Sequence, residues 1–582
     1  MLKQTIALLS ALPMIAASPI TLSRMDERWV EKTLRAMTVD QKIGQLLIPA
    51  ANAAYRSDSS EEFEKIRKDI VEYHVGGYHT FGGDPSAVAS TLNRLQALSK
   101  IPLLVTADLE GGAGYVMPGA TRFPLAMAIA ATNDPESARI AGSITAREGR
   151  ALGIHVNFYP VVDVNNNPKN PVISIRSFGE DVNLVSSMAR AYIDGAQSNG
   201  QIATAKHFPG HGDVSTDSHL ELPTLDLDRA RLDSIELPPF RAAIEGGVGA
   251  VMTAHIAMPK IEAEKGLPAT LSKSILTGIL REDLRFAGLV FTDAMTMKGV
   301  TDHFENGDAS VRAIEAGADI ILFPPKTDVS FNAIKSALES GRISRERLDA
   351  SVRRILQAKA ASGLREYRPS DLMNVYRIVG SKEHRDAAQQ IADRAITLVR
   401  DEKSVLPLKP SADLRLVHVN LLDRRSGWRE GNVGRITSAE LLKRFPKGVS
   451  VQVDDLTTAG EMDLIRKTVS LADAVVVTGF TKSGPFKGSI EMPEQQLSFM
   501  RALAKGSTPL VVAMLGSPYT IQALPELPSY ILGFDIQPSA ELAMIRAITG
   551  EIPIGGKLPV SLPGSHQMGH GIARQSILVS NQ

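Results

Sequence analysis

Residues Ile202–His219 read IATAKHFPGHGDVSTDSH: a short apolar run closing on Lys206-His207, then a loop with two more histidines and two aspartates. Pro209, Gly210 and Gly212 disfavour a helix, so the polar groups sit on a loop directly after a strand. This unit has counterparts on both sides. Apolar runs occur at Ile43–Ala50, Val75–Phe81, Pro102–Ala107, Ile154–Val162, Ile202–His207, Gly249–His255, Gly288–Thr292 and Ala318–Phe323. Stretches such as Pro85–Ser99, Pro135–Leu152 and Leu184–Gln197 read as helices between them. Continuous apolar strands alternating with helices imply a parallel sheet buried on both faces. Eight such units between Lys42 and Pro325 predict an α/β fold of the (β/α)8 TIM-type barrel. A doubly wound open sheet is the alternative.

Polar residues stand where a barrel enzyme needs them, at the C-terminal ends of strands. Asp108 and Glu110 follow the third run, Asp163 the fourth and Asp293 the seventh; Lys206-His207 close the fifth and His255 the sixth. Beyond Lys359 the pattern changes. Ala361–Asp371 is polar, and Lys382–Arg400 reads as a helix. A second strand series follows at Leu414–Leu422, Val449–Val453, Ala472–Thr478, Pro509–Leu515 and Tyr530–Phe534, with Gly555–Gly564 (GGKLPVSLPG) as an extended closing segment. The expected organisation is a signal peptide at 1–18, a TIM-barrel catalytic domain at 19–360, a linker and connecting helix at 361–400, and a smaller C-terminal α/β sandwich domain at 401–582.

Composition narrows the function classes. Of 582 residues, 43% are hydrophobic, enough for a large core. Lys+Arg and Asp+Glu both number 64, a balance that argues against a nucleic-acid partner or a polybasic membrane anchor. The absence of cysteine excludes disulfides, thiolate metal sites and a Cys nucleophile. Lys3, the apolar run Thr5–Ala17 and the small residues Ala16, Ala17 and Ser18 form an export-signal pattern, although Pro19 follows directly. The run has 13 residues, short of the roughly 17–25 that span a bilayer, so no transmembrane segment is expected. The expected location is periplasmic or extracellular, and cytoplasmic if this run is an ordinary N-terminal helix. Nothing in the sequence sets an oligomeric state.

Three readings compete for the Lys206–His219 loop. A metal site would use its histidines and an aspartate, but Pro209-Gly210 breaks the helix that usually sets two His ligands one turn apart; no metal or cofactor is expected. A structural polar loop is the second reading. The third is catalytic. Asp217 and His219, two apart, allow the carboxylate to hold one ring nitrogen while the other works as general acid/base. Asp293, in VFTDAM (Val290–Met295), is the candidate opposite it; taken alone it is also a helix-capping aspartate. Gly479–Ser489 (GFTKSGPFKGS) lacks the Gly-Lys-Ser/Thr ending of a phosphate-binding loop.

KHFPGHGDVSTDSH followed by VFTDAM resembles glycoside hydrolase family 3, in its bacterial β-N-acetylglucosaminidase branch. Phe158–Val164 (FYPVVDV), Asn170–Asp181 (NPVISIRSFGED) and Leu267–Leu271 (LPATL) add to the match, which runs from about Met25 to Gly564. The resemblance implies a retaining hydrolase. Asp293 would be the nucleophile, and His219 the acid/base with Asp217 as its dyad partner. Asp108, Arg176, Lys206 and His207 would bind the carbohydrate substrate. Salt bridges from Arg176 to Glu180 or Asp181, and from Lys206 to Asp163, are the structural roles these cations would otherwise fill. The sequence departs from the family after Glu110-Gly-Gly, where Ala113-Gly-Tyr-Val leaves no Arg before Arg122; Val214 also stands where Thr is common.

The implied activity is removal of terminal β-linked N-acetylglucosamine from peptidoglycan fragments or chito-oligosaccharides. β-Glucosidase or phosphorylase activity is the alternative, since a neutral His repels phosphate less than a carboxylate does. A non-catalytic sugar-binding protein is a further alternative, against which the presence of both Asp293 and the Asp217–His219 pair argues.

Overall fold

A computed structural model describes residues 21–422, 433–481 and 490–577. The N-terminal run read as an export signal, and residues 482–489 of the Gly479–Ser489 loop, lie outside them. The first layer is a seven-stranded, all-parallel sheet of Ala50–Asn52, Gly77–Phe81, Leu104–Ala107, Val156–Asn157, Ile202–Phe208, Ala250–Thr253 and Leu289–Phe291. Its spatial order is its sequence order. A doubly wound sheet reverses order at a switch point; this one does not, and it curls. Leu47–Ile48 pairs in parallel with Ile321–Leu322, and Phe291 bridges to Ile320.

Two helices that flank the first sheet start where the chain supplies caps. Asp84 accepts the Ser86 N–H ahead of Pro85–Leu98, and Asp134 accepts the Glu136 N–H ahead of Pro135–Leu152. Both helices carry Pro in the first turn, where no intrahelical N–H is lost. Gly153 closes the second helix at φ 90°, a conformation glycine adopts without a Cβ clash.

Two runs read as strands are shorter in the fold. Within Ile43–Ala50, a reciprocal Thr38–Gln41 capping box starts the helix Val39–Gln45, which takes Ile43 and leaves only Leu47–Ile48 and Ala50 for strands. Within Ile154–Val162 the ladder covers Val156–Asn157, with one further bridge from Val161 to Lys206. Pro160 interrupts it because proline has no N–H to donate.

The second sheet runs Thr397–Asp401, Ser529–Leu532, Leu510–Gly516, Ala474–Thr481, Leu416–Leu421, Val449–Val453. Only its first strand is antiparallel. That strand begins inside the stretch read as connecting helix; the helix Lys382–Ala395 stops earlier, and Thr397–Asp401 pairs with Ser529–Leu532. The two sheets are held together by a shared apolar cluster that includes Leu125, Met127, Ile175, Tyr519 and Leu558. At its edge the Leu125 N–H donates to Asp535 and the Asn165 amide donates to the Tyr519 hydroxyl. The Gly555–Gly564 segment returns across the joint: Glu180 N–H donates to the Pro559 carbonyl, and the Ser561 hydroxyl to the Glu180 carboxylate.

Candidate active site

A cavity of about 690 Å³ lies at the C-terminal ends of the parallel strands. Six of the seven residues singled out above line it: Asp108, Arg176, Lys206, His207, His219 and Asp293. Asp217 is buried behind His219.

One wall is a chain of alternating charges. Lys206 Nζ is 2.8 Å from both Asp108 Oδ1 and Glu110 Oε1. Arg176 grips Glu110 with two prongs, Nε to Oε2 at 2.8 Å and Nη2 to Oε1 at 2.7 Å. Burial pushes the Glu110 carboxyl up, but Arg176 and Lys206 outweigh it and hold the group far below the carboxylate range. Lys206 is raised: burial opposes its charge, and Asp108 and Glu110 more than restore it. Glu110 is spent on two cations, so Asp108, with its side chain 30% exposed, is the carboxylate this wall presents to a ligand. The partners foreseen for Arg176 are engaged elsewhere, Glu180 with Ser561 and Asp181 as cap of the helix Val182–Gln197.

Asp163 is bound by the His207-to-His211 turn and not by Lys206. Its carboxylate accepts His207 Nδ1–H at 2.7 Å, and the backbone N–H groups of His207 and His211 at 3.2 and 2.7 Å. This fixes the His207 ring, and its Nε2 is then the nitrogen for a ligand. Asp213, one of the two aspartates of the loop, pairs with Arg231.

The Asp217–His219 contact forms as the spacing suggests. His219 donates its backbone N–H and its ring Nδ1–H to the same oxygen, Asp217 Oδ1, at 2.9 and 2.8 Å. With Nδ1 committed, proton exchange with a ligand falls to Nε2. His211 supports the loop, its Nε2 2.9 Å from the Ser218 hydroxyl.

Asp293 does not cap a helix. The next helix, Lys298–Thr301, has Met297 at its N-cap and no side-chain cap bond. Asp293 Oδ1 accepts the Ala294 N–H at 2.7 Å, and its own N–H donates to Thr253 Oγ1 at 3.3 Å. Burial would raise this carboxyl, but His207, His255 and His219 draw it down to about 2. It is therefore ionised and suited to nucleophilic attack rather than proton donation.

Sequence reasoning noted Glu110 and His255 but gave them no role. His255 Nε2–H donates to the Ala294 carbonyl at 3.1 Å, which holds the backbone just after Asp293. Their only signal was position at a strand end. Tyr115, which falls in the stretch without Arg, lines the cavity with the Arg122 guanidinium 4.8 Å from its ring centroid.

Comparison with known proteins places this chain in a family. Residues 38–358 match the model of the glycosyl hydrolase family 3 N-terminal domain. A β-N-acetylglucosaminidase/β-glucosidase of Cellulomonas fimi is 31% identical over 94% of this chain and 98% of that protein. Among solved structures, a family 3 β-N-acetylglucosaminidase from Paenibacillus sp. str. FPU-7 superposes with a TM-score of 0.80 at 34% identity, covering 92% of this chain and 100% of that one. A β-glucoside phosphorylase gives 0.83 at 27% identity, covering 94% and 98%.

Proposed function

The chain belongs to glycosyl hydrolase family 3 and is a glycoside hydrolase, and from that premise we propose that it is a retaining β-N-acetylglucosaminidase. Its substrates are terminal β-linked N-acetylglucosamine residues of peptidoglycan fragments or chito-oligosaccharides. The observation that carries the reading is the Asp217-bound His219 lining the same cavity as the ionised Asp293.

The carboxylate of Asp293 attacks the anomeric carbon as the bond to the leaving oxygen breaks. His219 Nε2–H gives that oxygen its proton, and a covalent glycosyl-enzyme remains. His219 then takes a proton from water, whose oxygen displaces Asp293 and restores both groups. Asp217 supports the imidazolium between the two steps. Asp108, Lys206, Arg176 and His207 hold the sugar hydroxyls, the cations donating even while ion-paired.

The same reading takes the curled sheet, with Leu47–Ile48 and Ile321–Leu322 paired at its open side, as a closed (β/α)8 barrel forming the catalytic domain. The second sheet would be a separate domain. Export rests on the N-terminal sequence pattern alone.

A panel of aryl β-glycosides tests the assignment: the N-acetylglucosaminide should turn over faster than the glucoside or xyloside, and preference for either of the others would overturn it. Phosphorolysis is a second reading, favoured by the histidine acid/base and by the likeness to the phosphorylase. Sugar 1-phosphate as the main product in phosphate buffer would establish it; free sugar would support hydrolysis.

A further inference from the structure

His79, on the strand Gly77–Phe81, is fully buried beside Asp108. It does not line the cavity and has no task in the chemistry of Asp293 and His219. Strand register explains its place. His79 lies opposite Thr106 on the neighbouring parallel strand, and Asp108 is two residues beyond Thr106, on the same face. Imidazole Nδ1 is 3.1 Å from Thr106 Oγ1, and Nε2 is 3.7 Å from Asp108 Oδ2. The ring is otherwise packed among aromatic side chains. It stacks on Phe158, with centroids 5.4 Å apart and planes 9° apart, and meets Phe81 at 4.4 Å and Phe323 edge-on at 4.8 Å.

The surroundings fix the proton on this ring. Burial lowers its pKa to about 4 against the pull of Asp108, and Lys206 adds to the fall. The ring is therefore neutral at ordinary pH and carries one N–H. A hydroxyl donates or accepts, whereas an ionised carboxylate only accepts. The Thr106 hydroxyl therefore donates to Nδ1, and the ring N–H is at Nε2, next to Asp108 Oδ2. At 3.7 Å the two are outside hydrogen-bond reach, and Nε2 has no other hydrogen-bond partner among the described residues. Leaving a buried N–H unpaired is costly, so a ligand that closes this gap gains from it. Lys206 holds only the other oxygen, Oδ1, and the Asp108 side chain is 30% exposed. Its carboxylate can rotate, and the missing distance is under about 1 Å.

We propose that His79 is a positioning residue of the sugar site: when a sugar hydroxyl docks on the exposed side of Asp108, Oδ2 closes onto His79 Nε2–H, and the carboxylate is clamped between His79 and Lys206. The proposal rests on the reading of Asp108 as a sugar-binding carboxylate. His79 touches no substrate and acts through Asp108.

The test uses the full-length protein and the p-nitrophenyl β-glycoside that the wild type turns over fastest. His79→Phe keeps an aromatic ring among Phe81, Phe158 and Phe323 but removes the N–H. It should lose about 10-fold in kcat/KM, mainly through KM, as one lost hydrogen bond to a charged group allows. His79→Gln, whose amide N–H reaches the same oxygen, should stay close to the wild type. In an Asp108→Ala background, His79→Phe should cost nothing further. Imidazole nitrogen NMR spectra of the histidine-labelled wild type need no variant kinetics, and they should show the His79 proton on Nε2. An unchanged KM in His79→Phe, equal losses in the two His79 variants, losses that add to that of Asp108→Ala, or a proton on Nδ1 would overturn the proposal. A wild-type KM in Asp108→Ala would instead overturn the sugar-binding reading of Asp108, and the proposal with it.

Discussion

Asp217 Oδ1 receives both the ring Nδ1–H and the backbone N–H of His219, at 2.8 and 2.9 Å. One carboxylate oxygen therefore sets the orientation and the tautomer of the imidazole together. Asp217→Ala should lower kcat on N-acetylglucosaminides by about 100- to 1,000-fold with a small change in KM, within the roughly 10²–10⁴-fold range of general acid/base catalysis. His219→Ala should cost more on a poor leaving group such as a sugar than on an acidic phenol. Steady-state kinetics on a leaving-group series reads both effects.

Asp293 is held at about 2, against an ordinary 3.8. As the proposed nucleophile, this carboxylate therefore stays ionised throughout the working range, and any acid limb of kcat/KM above pH 3 comes from another group. The linked stability has the matching sign. A lowered folded value stabilises the protein above pH 3.8, and this contribution is lost as pH falls toward 2. Asp293→Asn should abolish turnover, yet retain sugar binding by calorimetry. It should also remove the part of the acid destabilisation that falls between those two values.

Glu110 joins Arg176 and Lys206 with all three side chains at least 90% buried. Glu110→Gln leaves the buried Arg176 without its carboxylate and Lys206 with Asp108 alone. Breaking such a pair costs on the order of 3–5 kcal/mol, and chemical denaturation should show a loss of that size. KM should rise as well, because both cations lose the anion that positions them. In the wild type, the low value of this carboxyl stabilises above its ordinary 4.5 and fades as pH drops below it.

Arg122 backs Tyr115 by a cation–π contact and by donating to the Tyr115 carbonyl at 3.3 Å. Arg122→Met removes both. The expected result is a several-fold rise in KM with kcat nearly unchanged, since about 0.5–2 kcal/mol of positioning is lost while Asp293, His219 and Asp217 are untouched. An altered ratio between N-acetylglucosaminide and glucoside would mark Tyr115 as a determinant of sugar choice.

Much of this site was legible before any tertiary structure. Asp217 and His219 are two residues apart, so their contact is a property of a short loop. Lys206 and Asp293 were found because an apolar run ending in a polar residue marks a strand end. The same logic failed at Thr397–Asp401, where a helix and a strand meet with only Ile396 between them; its strand character comes from pairing with Ser529–Leu532.

By itself, the sequence determined the alternation of strands and helices, the residues at the strand ends and the Asp217–His219 pair, because each depends on neighbours along the chain. Tertiary structure alone decided which charges meet. Glu110 and Arg176 are 66 positions apart, and Asp108 and Lys206 are 98. Only the curl of the sheet brings those strand ends to one cavity. There, burial strengthens each Coulomb interaction, so the nearest opposite charge in space, not in sequence, sets the pairing. That is why Lys206 holds Asp108 and Glu110 while Asp163 goes to His207.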